Sequence, residues 1–190
     1  MHSRIHHAFT FITGTRPDVG AVVDILARFG QDVVSLLEGT GVEIVTLVAS
    51  QKIADFSPTL AAAGIDEGVP AVFVATEARL YVRCPVPLTV GHAVGLAIDF
   101  SLGRPSARDP QMLAAYRAAI ARNAFITSLA YATPGAYVAE ALRAFYGCDE
   151  PIVGWPAATP ERLAAIDPVM YGLTARLATR IPLAVGRLAS

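Results

Sequence analysis

The order of hydrophobic and polar positions divides the chain into a strand-rich first half and a helical second half. His6 to Thr13 (HHAFTFIT) has the β-branched and aromatic content of a first strand, followed by a turn over Gly14-Thr15-Arg16-Pro17. Between Asp18 and Phe29, Val19, Val22, Val23, Leu26 and Phe29 recur at helical spacing, and Gly30 closes that helix. Val33 to Glu38 is a short amphipathic piece. Gly41 to Ala49 predicts a buried strand. Phe56 to Ala63 predicts a short helix opened by Ser57-Pro58. Val72 to Thr76 and Arg79 to Arg83 predict two further strands joined by a turn at Thr76-Glu77-Ala78. Pro85 and Pro87 cannot donate to a sheet ladder, so Cys84 to Leu88 is a loop. It leads to a central helix, Thr89 to Phe100, with Thr89 as the expected N-cap.

The second half carries a repeated start signal. Asp109-Pro110, Thr133-Pro134, Thr159-Pro160 and Asp167-Pro168 each place a capping side chain before a proline at the first helical position. Helices are expected over Pro110 to Ser128, Pro134 to Tyr146, Pro160 to Ile166 and Pro168 to Thr179. Arg104 to Arg108 reads as a polar loop. Cys148 to Ala158 reads as a second loop, anchored by Trp155. With no internal repeat, the pattern predicts an α+β single domain over residues 1–190, with a small mixed sheet in the first half and mainly helices in the second.

Composition narrows the function classes. Hydrophobic residues make up 54% of the chain, charged residues only 16%, and mean hydropathy is +0.48. A well-filled core accounts for this; an exposed apolar groove or a homo-oligomer contact is the other explanation. Net charge is -1, and Lys52 is the one lysine, so no basic footprint for nucleic acid or for an anionic membrane surface is expected. The apolar piece near the N-terminus, Ala8 to Ile12, is short for a secretory signal, and a cytoplasmic location is the default expectation. Cys84 and Cys148 show no CxxC spacing and read as free thiols. His2, His6 and His7 have no carboxylate or Cys at ligand spacing and suggest no metal cluster.

In the central helix Val90, Val94, Ala97 and Ile98 form one apolar stripe. His92, Leu96 and Asp99, at i, i+4 and i+7, lie on another face. A zinc helix of the H-E-x-x-H type needs His at both i and i+4 and a Glu beside the first His as general base. Here the five positions are His92, Ala93, Val94, Gly95 and Leu96. GHAVGLAIDF, a loop and a helix, and then YATPGAYVAEALRAFY together resemble the zincin domain of the anthrax lethal factor-like metallopeptidases. That group includes the Pro-Pro endopeptidases. Its patterns are H-E-x-G-H-A-[IL]-D and, further along, a Tyr followed by E-[FY]-[FV]-A-E-A-[FL]. The matching residues are His92, Gly95, Ala97, Ile98 and Asp99, then Tyr137, Val138, Ala139, Glu140, Ala141 and Leu142. The resemblance is strongest over residues 41–146. It implies a zincin-like fold.

The departures are selective. By the resemblance, Ala93 stands at the general base, Leu96 at the second His ligand and Ala136 at the third ligand, a Glu. Asp99 and Glu140 match supporting residues, and Tyr131 lies near the family's active-site Tyr. A zinc site takes three protein ligands and a water, so the sequence predicts no metal, no cofactor and no zincin hydrolysis. Two functional readings follow. One is a pseudopeptidase that binds a small apolar molecule or a peptide in the former cleft. Ala93, Leu96, Ala136, Tyr137, Tyr81 and Arg83 are the candidate lining, and Arg79 to Arg83 the candidate edge strand for an extended ligand. The other is a metal-independent isomerase, cyclase or hydrolase acting on a small apolar metabolite, with His92, Glu140 and Tyr131 as catalytic candidates. A purely structural subunit is a third, weaker reading.

Overall fold

The computed structural model describes residues 16–65, 68–149 and 157–188. The strand expected over residues 6–13, the N-terminal histidines and Trp155 lie outside the described residues.

Helix α1 (Arg16–Phe29) starts two residues before Asp18, within the expected turn. Gly30 sits at φ 84°, a conformation that breaks the helix without steric cost, and α2 (Gln31–Gly39) starts on the next residue. Strand β1 (Glu43–Thr46) is shorter than the apolar run around it. A 3-10 turn (Ile53–Asp55) and the short helix α3 (Pro58–Ala62) follow, and the Ser57 side chain caps the Leu60 amide as the Ser-Pro pair predicts. Strands β2 (Ala71–Val74) and β3 (Arg79–Val82) complete the sheet.

The sheet order is β1-β3-β2. β3 pairs parallel with β1 (Ile44 opposite Leu80) and antiparallel with β2 (Phe73 opposite Leu80). Arg79 to Arg83 was expected to be an edge available to an extended ligand. Instead β3 is the central strand, and its backbone groups are used on both sides. Both faces are covered as well. Ile44, Phe73, Leu80 and Val82 join the main core, while Val45, Leu47, Val74 and Tyr81 form a second cluster with Ile53 and Leu60. The register pairs Glu43 with Arg79, whose Nε donates to the Glu43 carboxylate at 2.7 Å.

Helix α4 (Pro87–Ser101) begins earlier than Thr89. Pro87 takes the first helical position, where a missing N–H costs nothing, and Val86 is the N-cap. Thr89 instead returns its hydroxyl to the Val86 carbonyl. The expected loop at Arg104 to Arg108 contains a one-turn helix, α5 (Pro105–Arg108). Helix α6 (Pro110–Arg122) stops short of Ser128 because Asn123 adopts a left-handed cap, φ 49°. A 3-10 turn (Leu129–Tyr131) leads to α7 (Pro134–Phe145), and α8 (Pro160–Ile166) follows. The last helix, α9 (Pro168–Leu188), runs through Pro182 well beyond Thr179. Its buried face (Met170, Leu173, Leu177, Ile181) outweighs the one backbone bond that the proline removes.

All four predicted caps form. Asp109, Thr133, Thr159 and Asp167 accept from the amides of Gln111, Ala136, Arg162 and Met170. The result is a small mixed sheet followed by a mainly helical half, with α4 packed between the sheet and α7. Neither cysteine is in a disulfide; Cys148 is buried and Cys84 is exposed. Among the described residues no helix is long and apolar enough to cross a membrane.

Candidate functional site

The site is built where α4 crosses α7. The contact depends on two glycines four residues apart on α4. A Cβ at Gly95 would lie 2.6 Å from the carbonyl oxygen of Ala139 on α7, so only glycine lets the two backbones approach this closely. One turn earlier, Gly91 leaves room for the stem of Arg143; a Cβ there would come within 2.9 Å of it. The expected apolar stripe of α4 (Val90, Val94, Ala97, Ile98) is fully buried. Its other face therefore meets α7, bringing His92 to Glu140.

His92 Nδ1 and Glu140 Oε1 are 2.8 Å apart. The other carboxylate oxygen accepts the Thr127 hydroxyl at 2.6 Å and Arg143 Nη2 at 2.8 Å, and Arg143 Nε donates to Oε1 at 3.2 Å. Arg143 also pairs with Asp149 at 2.9 Å. Glu140 and Arg143 are both buried, with side chains 0% and 1% exposed. Burial pushes the Glu140 carboxyl up, but the His92 and Arg143 bonds, the Arg143 charge and the Thr127 hydroxyl outweigh it and hold the group at about 2. Glu140 is therefore a carboxylate that only accepts. It follows that Nδ1 of His92 carries the hydrogen, and Nε2 is the nitrogen left over. The His92 side chain is 21% exposed, and no hydrogen bond to its Nε2 occurs among the described residues.

This changes the part expected of Glu140. A general acid or base must give and take a proton near neutral pH, and four donors holding the Glu140 carboxyl at about 2 favour a supporting part for it instead. Glu140 positions His92. Asp99, the other matching carboxylate, does not touch His92. It accepts the Ser106 amide at 2.9 Å and the Ser106 hydroxyl at 2.6 Å, tying the end of α4 to α5. Burial raises its pKa, and the Ser106 bonds oppose that rise.

The remaining candidates divide. Leu96 is half-buried beside α7; its Cδ2 would lie 3.6 Å from a Cβ at Gly135. Ala136 is 7% exposed at the start of α7. Ala93, expected in the lining, is instead enclosed in the main core. Tyr137 is also enclosed, and its hydroxyl donates to Asp167, with its pKa raised by burial and by that carboxylate. Tyr81 is enclosed on the far side of the sheet, where its hydroxyl lies 2.9 Å from the Phe56 carbonyl and 2.6 Å from Glu77. Arg83 directly follows β3, with its amide on the Pro70 carbonyl, and has no hydrogen bond to the His92 network among the described residues. Tyr131 is 59% exposed, and its hydroxyl makes no hydrogen bond among the described residues. It lines an open pocket of about 480 Å³ with Asn123, Phe125, Thr127 and Ser128. Among the described residues no three His, Cys, Asp or Glu side chains form a metal-binding group.

Sequence reasoning missed Arg143 and Thr127. Arg143 was legible as a helical i, i+3 partner of Glu140. Thr127 had no local signal, because a loop brings it to Glu140.

The chain is similar over most of its length to the solved structure of the Pro-Pro endopeptidase (PPEP-2) from Paenibacillus alvei. It is 19% identical, the match covers 91% of this chain and 98% of that one, and the TM-score is 0.64. At that identity the likeness shows the fold, a zincin-like α+β architecture. No protein-family profile matches the chain, and no curated protein sequence does either.

Proposed function

We propose that this zincin-like chain has no peptidase activity and binds a small apolar molecule or a peptide, without metal, on the surface around His92. The observation that carries the reading is the donor set. Zinc needs three protein ligands, and the α4–α7 crossing offers one, the Nε2 of His92. The positions that the zincin pattern gives to the other two ligands and to the base hold Leu96, Ala136 and Ala93, which have no donor atom. The residues present do not fit the metal. What remains is one oriented imidazole nitrogen at a helix crossing where Leu96 and Ala136 are apolar, which suits recognition of a mostly apolar molecule with a polar contact at this point.

The test is zinc titration of the purified chain by calorimetry, together with metal analysis after dialysis. The expected result is no stoichiometric zinc. About one zinc per chain, lost in His92→Ala, overturns the reading.

A second reading, a metal-independent isomerase, cyclase or hydrolase acting on a small apolar metabolite, is favoured by the fixed tautomer of His92. An imidazole whose Nδ1 is held by a carboxylate presents Nε2 as a ready general base. In this reading Glu140 orients and His92 takes the proton. A turnover that survives His92→Ala undiminished rules it out.

A further inference from the structure

We propose that the pocket between Asn123, Phe125, Thr127, Ser128 and Tyr131 receives a neutral, planar ring bearing an N–H or O–H donor. Tyr131 would be its stacking platform. The inference rests on the ligand-binding reading above and names the part of the ligand that this side of the site takes.

Four observations support it. First, Tyr131 is a large aromatic left 59% exposed on a concave wall. Its ring is held edge-on by Phe125 at 5.5 Å, and Phe125 is held in turn by Tyr137 at 5.9 Å and Tyr116 at 6.2 Å. The Tyr116 hydroxyl also fixes the Tyr131 carbonyl at 2.8 Å. The platform is set before anything binds, so stacking on it costs little ordering. Second, no charged side chain among the described residues lines the pocket. The neighbouring Arg122 is turned back onto the Ala118 carbonyl and faces Asp167 at 3.8 Å. A ligand group here needs no charge. Third, the exposed side chains of Ser128 and Asn123 make no hydrogen bond among the described residues, which leaves donors and acceptors for ring substituents. Fourth, Thr127 belongs to both the pocket and the histidine network. Its proton is committed to Glu140 at 2.6 Å, so toward the pocket its oxygen can only accept. That one-way partner selects a ring with a donor over one without.

The experiment follows backbone amide and His92 ring signals by NMR as three neutral probes are added: indole, 1-methylindole and cyclohexylmethanol. Indole is expected to shift Thr127, Ser128 and Tyr131, with 1-methylindole weaker and cyclohexylmethanol weakest. Tyr131→Ala, an exposed position, is expected to keep the fold and weaken indole binding roughly fivefold or more. Equal binding of cyclohexylmethanol and indole overturns the planar-ring class, and equal binding of the two indoles overturns the donor requirement. Shifts around His92 with none at Ser128 or Tyr131 overturn the ring pocket and leave the proposed function standing. Stoichiometric zinc in the parallel titration, with indole still in the pocket, overturns the proposed function alone.

Discussion

Glu77 and Glu140 have the same titration and opposite consequences. Both carboxyls are held at about 2 against an ordinary 4.5. Glu77 stands in the turn between β2 and β3. Partial burial pushes it up; the Tyr81 hydroxyl, the Thr59 amide and hydroxyl and the Ser57 hydroxyl bring it down. Those donors are neutral, and each belongs to β3 or to the start of α3. The network closes on itself and staples the sheet to its small second cluster. Glu140 is surrounded by Arg143, Thr127 and His92, and this network does not close. His92 has a second ring nitrogen, and the bond to Glu140 only fixes which way it points. A carboxylate that stabilises and a carboxylate that presents another group look alike in pKa. They differ in whether an atom is left over.

The sharpest way to break the comparison is to remove the charged partner that only Glu140 has. Arg143→Met leaves Glu140 and Asp149 facing an apolar stem in a buried site. The expected loss is about 3–5 kcal/mol, read from the urea midpoint. A loss below about 1 kcal/mol would mean that the Glu140 network is held elsewhere.

Acid titration treats the two regions alike and then separates them. Both folded pKa values are depressed, so both carboxyls contribute stability that is complete above about 4.5 and lost as pH falls toward 2. For buried Glu140 the contribution is on the order of 3 kcal/mol. Glu77, at a partly exposed turn, contributes less because solvent screens it. Urea unfolding at a series of pH values should show a shallower fall between 4.5 and 2 in Glu140→Gln, and a smaller flattening in Glu77→Gln. Equal flattening would erase the distinction by burial.

On the Glu77 side, Tyr81→Phe removes one hydroxyl that serves both Glu77 and the Phe56 carbonyl. The ring still fills its place, so the expected loss is about 1–2 kcal/mol by the same measurement. A loss as large as that of Arg143→Met would make neutral donors the equal of a buried charge.

What was legible beforehand divides along local and non-local lines. The four Asp/Thr-Pro starts were readable because the capping oxygen and the amide it serves are two or three residues apart. The pairing of α4 with α7 was readable through two motifs, although their residues are far apart in sequence. The sheet order was not. Arg79 to Arg83 alternates like an edge strand, but its place between β1 and β2 is decided by a parallel pairing across the chain. Tyr81 and Tyr137 were expected to face a ligand, and each hydroxyl instead satisfies a carboxylate, Glu77 or Asp167, in the interior. The motif marked Glu140, but a residue letter carries no pKa. Only the convergence of Arg143 and Thr127 turns it from a proton carrier into a support.

The smallest expected stability effect is the most informative about the atom left over. His92→Ala deletes a side chain that is 21% exposed and, among the described residues, makes one hydrogen bond, to Glu140. Glu140 Oε1 keeps Arg143 Nε, and Oε2 keeps Thr127 and Arg143 Nη2, so no buried charge is stranded. The space opens toward solvent rather than as a sealed cavity. The cost in unfolding free energy should be about 1 kcal/mol or less. If the proposed function holds, binding on this surface should fall far more, because Nε2 is the polar atom presented at the α4–α7 crossing. If His92→Ala instead costs as much as Arg143→Met, the imidazole is a structural member like Tyr81. The Glu140 network then closes on itself, as the Glu77 network does.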